Sequence, residues 1–166
     1  MGSDGLQIQE AEGFQRKEWA FERVGWAVMA LILLAALLGL FGGLGVFRSV
    51  SASDASGAVT VDYPRLTRHT ARTELEVATG AAAVREGQVV LTLSSDWVDG
   101  ADIGRVIPEP DTWSSGPDGL RLTFLADPAP PTVRISYRPD AIGPHPGTVT
   151  VGDGGPRVGF DQFVYP

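Results

Sequence analysis

The sequence predicts one transmembrane α-helix followed by an all-β domain, an antiparallel, immunoglobulin-like β-sandwich. Three observations carry this expectation. Val24–Phe47 contains no charged side chain, all 12 prolines lie at or beyond Pro64, and from Ala58 onward apolar residues alternate with polar ones. A helical first part followed by a turn-rich β part is the economical reading. The 166 residues hold about one globular domain plus appendages. The expected division is a cytoplasmic segment with an amphipathic juxtamembrane helix (1–23), a transmembrane helix (24–47), a linker (48–57) and a periplasmic β-sandwich domain (58–166).

The lead-in GFQRKEWAFER sets Phe14, Trp19 and Phe21 among charges. Trp19, Phe21, Arg23 and Trp26, with Arg48 beyond the apolar run, suit the headgroup level, where amphipathic rings and cations are enriched. An interfacial anchor is the simpler expectation for this helix; a docking helix for a partner's cytoplasmic loop is the alternative.

At ~1.5 Å rise per residue, VGWAVMALILLAALLGLFGGLGVF reaches about 36 Å, enough to cross a ~30 Å hydrocarbon core with some tilt. A cleaved leader has an apolar core of only about 7–15 residues behind a short basic start. A helix lying flat on a bilayer needs a polar face, which this stretch lacks. Arg16, Lys17 and Arg23 precede the run, whereas Arg48 alone follows it closely. The imbalance places the N-terminus in the cytoplasm and the β domain in the periplasm of a bacterial inner membrane. Within the run Ala35, Gly39 and Gly43 recur every four residues, with Gly42 beside them, a spacing that lets a second helix approach closely.

Beyond the linker, strands are expected at Ala58–Asp62, Thr73–Ala78, Gln88–Leu93, Ile103–Ile107, Leu120–Leu125, Thr132–Tyr137, Thr148–Val151 and Val158–Val164. Leu75 and Val77 alternate with Glu74 and Glu76, and Val133 and Ile135 with Arg134 and Ser136, as in strands with one buried and one wet face. Turn-rich pieces separate them, among them Gly116–Gly119, Asp127–Pro131, Gly143–Gly147 and Gly152–Pro156. About eight short strands so spaced point to a sandwich, with an irregular barrel as the alternative.

The chemistry-bearing residues are few. Without cysteine there is no thiol nucleophile, disulfide or thiolate metal site. The net charge of −7 is spread over both aqueous parts, so no nucleic-acid partner is expected. His69 and His145 fit no metal-binding spacing and are expected on the surface, His145 in a turn between two prolines. Asp96, Asp99 and Asp102 surround a glycine; a solvated turn is expected there, with calcium ligation or acid/base catalysis as alternatives, and Trp97 among them reads as a packing residue. No phosphate loop or nucleophile elbow is present. No catalytic residue, metal, cofactor or small-molecule ligand is therefore expected.

Arg65, Arg68 and Arg72 with His69 form a basic patch after the first strand, readable as a solvated loop, a docking surface for an acidic partner, or an anionic-headgroup site. Phe163 and Tyr165 belong to a terminal strand with apolar residues on both faces. That pattern suits a buried central strand or an edge lying on another protein.

The stretch FQRKEWAFERVGWAVMALILLAALLGLFGGLG, with VDYPRLTRHTARTELEV and the terminal FDQFVYP, resembles an uncharacterised family of bacterial single-pass inner-membrane proteins with a periplasmic β domain. The resemblance covers most of the chain, and its motifs are topological. It implies location and architecture but no reaction. The expected role is a non-catalytic accessory subunit of an integral-membrane complex, respiratory or photosynthetic, in contact with the bilayer and with integral-membrane protein partners. A membrane-tethered periplasmic binding module is the alternative, and an enzyme built on the Asp96/Asp99/Asp102 carboxylates a third.

Overall fold

The computed structural model describes residues 12–37, 49–127 and 129–166, and the chain divides into two compact units, residues 1–46 and 47–166. In the first, a continuous helix, α1, runs from Glu12 to Leu37. It contains no proline and is rich in Ala, Leu and Glu, all strong helix formers. The helix is amphipathic, and its charged lead-in passes into the apolar stretch without a break. Val28, Leu31, Ile32, Leu33, Leu34 and Leu37 are each 50–83% exposed, so no core covers them. Among the described residues no helix is long and apolar enough to cross a membrane. Residues 38–47, the second part of the predicted span, lie outside the described residues.

The second unit is a mostly-β, sandwich-like domain. Its strands are β1 Ser49–Ser53, β2 Val59–Pro64, β3 Leu66–Arg68, β4 Thr73–Thr79, β5 Gln88–Ser94, β6 Ala101–Ile107, β7 Thr112–Gly116, β8 Gly119–Leu125, β9 Thr132–Pro139, β10 Gly143–Val151 and β11 Arg157–Tyr165. A single helical turn, α2 (Ser95–Val98), joins β5 to β6. Five strands form one sheet in the order β1-β2-β4-β9-β6, and six form the other in the order β3-β11-β10-β5-β8-β7.

Alternation builds the core. β2 turns Val59, Val61 and Tyr63 inward, β4 Leu75 and Val77, and β9 Val133, Ile135 and Tyr137. From the other sheet come Val89, Leu91 and Leu93 of β5, Leu120, Leu122 and Phe124 of β8, and Val158, Phe160 and Val164 of β11. These side chains are all nearly or wholly removed from water, and each contributes about 1.5–3 kcal/mol by leaving it. Gly147 of β10 sits beneath Phe160, its register partner, where a Cβ would overlap the ring.

Three expectations are corrected. The segment 48–57 is not simply a linker, because Ser49–Ser53 pairs along its whole length with β2, from Ser49↔Pro64 to Ser53↔Thr60. This edge strand is held by backbone hydrogen bonds and by Val50 and Ala52, half-buried against the core between serines, and so carries no apolar run. The sheets are not wholly antiparallel, since β3 pairs parallel with β11. β7, exposed throughout, was equally without an apolar pattern; the tight Gly116–Gly119 turn folds it onto β8.

Gly143–Gly147 is the first half of β10 and not a turn. Pro144 lies opposite Phe163, whose N–H donates away from β10 to Arg65 O at 2.7 Å. The pair is therefore a non-bonded one, and the N–H that proline lacks is not needed by that ladder. Pro146, two residues on, repeats the arrangement. β10 pairs with β5 only over Val149–Val151, so the other side of the proline segment has no ladder to break.

The β1–β2 turn is fixed by one carboxylate. Asp54 Oδ1 accepts from Val59 N and Oδ2 from Ser56 N, both at 2.8 Å, and Oδ2 also accepts from the Ser56 hydroxyl. The Ser56 hydroxyl and then the Val59 amide hold this carboxyl below its ordinary value of 3.8. A carboxyl lowered by folding stabilises the fold above its unfolded value and loses that contribution as pH falls through the folded one. Asp54→Ala is thus expected to lower urea resistance at neutral pH, with the gap from the parent closing below about pH 4. In the core, Ile135→Ala is expected to cost about 2–5 kcal/mol in urea unfolding. Leu125→Ala on the surface should change stability by about 0.5 kcal/mol or less.

Candidate docking surfaces

The domain has one buried polar cluster and two contrasting outer surfaces. The cluster is centred on Gln162, which the alternation of β11 turns inward between Phe160 and Val164. Its Oε1 accepts from Trp97 Nε1 at 3.0 Å and from the Tyr137 hydroxyl at 2.8 Å, while its Nε2 donates to Pro64 O at 3.0 Å. Trp97 on α2 packs edge-on against Tyr137 at 4.7 Å and against Phe160 at 5.9 Å. His145 lies buried at 5% exposure, with Nε2 2.9 Å from Trp97 O. A carbonyl only accepts, so Nε2 carries the proton in this contact. His145 Nδ1 and, on β3, Thr67 Oγ1 are buried without a partner among the described residues.

This corrects the expectation of a surface His145. Between two outward prolines, the strand period turns it into the core. Trp97 is a packing residue, as expected. Burial pushes the Tyr137 phenol well above its usual range, partly opposed by the Gln162 hydrogen bond. The phenol is therefore a neutral donor at ordinary pH.

The acidic segment, expected as a solvated turn, stands on the surface at α2 and the start of β6. Asp96, Asp99 and Asp102 are exposed, and Asp102 lies 3.8 Å from Arg138 Nη1. No three acidic or histidine side chains converge among the described residues.

The outer face of the six-stranded sheet changes character along its strands. At one corner Leu66 lies opposite Phe163 and Arg68 opposite Tyr165, with Pro144 on the far side of Phe163. Leu66, Phe163 and Tyr165 are 59%, 48% and 40% exposed, and Ile142, just before β10, is 58% exposed. β11 is therefore an interior strand with a bare apolar stretch on its outer face, a third arrangement beside the two expected. Arg65 and Arg68 are exposed beside this stretch, and Arg72 is exposed in the turn before β4. Among the described residues none of the three forms an ion pair.

Past Pro146 the same face turns polar. Thr148 and Thr150 of β10, Thr92 and Ser94 of β5, and Arg121 of β8 line a shallow groove of 470 Å³ that Arg157 also borders. Arg121 grips Asp153 through two nitrogens, at 2.5 and 3.2 Å, and holds its carboxyl below the usual range. This groove was not foreseen. With Ser114 of β7, its hydroxyls come from three strands, and no local motif announces it.

On α1, Trp19, Phe21 and Trp26 are 58%, 84% and 65% exposed, and the Arg23 guanidinium lies 3.6 Å above the Trp19 ring. Ala35 is half-buried. Gly39, Gly42, Gly43 and Arg48, the remaining expected packing and interface residues, lie outside the described residues.

The class defined by these features is a mostly-β, two-sheet domain preceded by an amphipathic helix. No protein-family model matches the chain, and no curated protein matches it. Among solved structures it shows a distant similarity to domains 4 and 5 of the S-layer protein SbsC, at 12% identity and a TM-score of 0.40. The alignment covers 71% of this chain and 54% of that one, so this chain spans about half of the matched structure. A similarity at this level assigns no family.

Gln162→Leu is expected to strand the Trp97 N–H, the Tyr137 hydroxyl and the Pro64 carbonyl. At roughly 1–3 kcal/mol for each stranded group, urea unfolding should register a loss of about 3 kcal/mol or more. Tyr137→Phe, which removes one donor and leaves the rest of the cluster satisfied, should lose only about 1 kcal/mol.

Proposed function

We propose that this chain is a single-pass protein of the bacterial inner membrane, with its N-terminus cytoplasmic and an immunoglobulin-like sandwich in the periplasm. It serves as a non-catalytic accessory subunit of an integral-membrane complex, with respiratory and photosynthetic assemblies as fitting hosts. The bare helix carries this reading. Apolar side chains from Val24 to Leu37 stand exposed on α1, and the sequence continues without a charge to Phe47. Apolar surface of that extent favours lipid or another apolar helix over water. The resemblance of the lead-in, the apolar run and the aromatic tail to single-pass inner-membrane proteins supports the same assignment.

In this role Ala35, Gly39, Gly42 and Gly43 form the face on which a partner helix packs, and dispersion contacts between close backbones supply the affinity. Trp19, Phe21, Arg23, Trp26 and Arg48 fix the depth of the helix. Arg65, Arg68, Arg72, Phe163 and Tyr165 lie on the periplasmic side as the candidate contact surface. The reading is tested by flotation with membranes, by a reporter fused after Pro166 that must be active in the periplasm, and by co-purification in mild detergent. Gly39→Leu with Gly43→Leu is expected to weaken helix association by about 1–2 kcal/mol, or roughly five- to thirtyfold in partner recovery. Unchanged recovery rejects the packing face, and a chain that stays in the aqueous fraction without detergent rejects the anchor.

The polar groove favours a second reading, a tethered module that binds an envelope ligand. Residues 49–166 produced alone should then retain affinity, whereas an accessory subunit needs its helix.

A further inference from the structure

We infer that the corner formed by Leu66, Phe163, Tyr165 and Ile142 is a lipid-docking surface, through which the β domain lies against the bilayer that anchors it. The inference rests on the anchored reading and goes beyond it, since an anchor alone leaves the domain free to stand away from the membrane.

Strand register locates the surface. The chain enters the domain at Ser49, two residues after the end of the uncharged stretch at Phe47. Ser49 pairs with Pro64, Pro64 O receives Gln162 Nε2, and the next residue, Arg65, takes the Phe163 N–H. β3 then runs parallel to β11, carrying Leu66 and Arg68 alongside Phe163 and Tyr165. The apolar corner therefore lies at the level of the entry point and beyond it. A domain tied to a bilayer through Ser49 presents that end first.

The composition of the corner fits the boundary between headgroups and acyl chains. Exposed Leu, Ile and Phe supply apolar area, and Tyr165 supplies an amphipathic ring of the kind enriched at that depth. Arg65 and Arg68 stand exposed beside them, placed for anionic phosphate groups. The nearest carboxylate along the outer face of β11 is Asp161, one strand repeat back toward the polar groove and opposite Pro146. A protein partner would cover the same aromatic residues, and quenching by labelled lipid separates that occupant from the bilayer.

The absence of native cysteine allows a direct test on the full-length chain. Leu66→Cys, Phe163→Cys and Ile142→Cys, made singly, each receive an environment-sensitive fluorophore. The proteins are reconstituted in vesicles of phosphatidylcholine and phosphatidylglycerol carrying doxyl-labelled lipid. Ala55→Cys, in the turn at the opposite end of the β1–β2 hairpin, is the reference. Docking predicts several-fold stronger quenching at the three corner sites than at the reference, weakened when phosphatidylglycerol is omitted. Vesicles that float with the protein while all four sites are quenched alike overturn the inference and leave the anchor standing; protein that fails to float overturns both. Use of three separate sites, each with a retained circular dichroism spectrum, separates docking from local unfolding at one of them.

Discussion

The side-chain amide of Gln162 is the constraint on which the domain's arrangement depends. The period of β11 forces it into a core otherwise built from aliphatic and aromatic groups, and a buried amide destabilises unless its hydrogen bonds are made. Its partners come from both layers. Tyr137 reaches it from the five-stranded sheet, Pro64 from the point where the chain leaves that sheet, and Trp97 from the turn between layers. The position of α2 follows, because the indole must present Nε1 to the amide while its ring packs against Tyr137 and Phe160. The crossing from β2 into β3 follows too, because the Pro64 carbonyl is held where the chain changes sheets.

The parts of the fold legible in the sequence are those where two apolar residues of one parity mark an inward face. Leu75 and Val77, Val89 with Leu91 and Leu93, and Val133 with Ile135 identified their strands directly. Three of the four edge strands were not legible. β1 offers only Val50 and Ala52 between serines, β3 has three residues, and β7 is exposed throughout, so each leans on backbone pairing that leaves little mark on composition. His145 was misplaced because proline reads as a breaker. Whether its missing N–H matters depends on which side of the strand is bonded, and that is set by residues such as Arg65 and Phe163, far away in the chain. Gln162 shares the parity of Phe160 and Val164, a signal that was present in the sequence, though a lone polar residue in an aromatic tail reads as surface. The Gly39 and Gly43 spacing remains a reading of the sequence, as those residues lie outside the description.

The outer face of the six-stranded sheet shows how one layer carries two surfaces of opposite character. Near Tyr165 it is aromatic and aliphatic, with arginines beside it; beyond Pro146 it is lined with hydroxyls. The sheet's free borders are short or polar. β3 offers three residues and β7 is a Ser-rich strand of five, and both features discourage pairing with a neighbouring molecule.

The first strand has a mechanical consequence. Ser49 stands at the open end of the β1–β2 hairpin, and among the described residues β1 has no neighbour on its other side. Tension that draws Ser49 away from β2, across the strands, loads the pairs one after another beginning with Ser49↔Pro64, whereas tension along the strand shears all five together. At ~3.3–3.6 Å per residue, its release under such a pull frees roughly 17 Å of chain, and the hydrogen bonds of the Gln162 cluster lie outside the strand released. Pulled across the strands, the border strand thus acts as a short extensible leash.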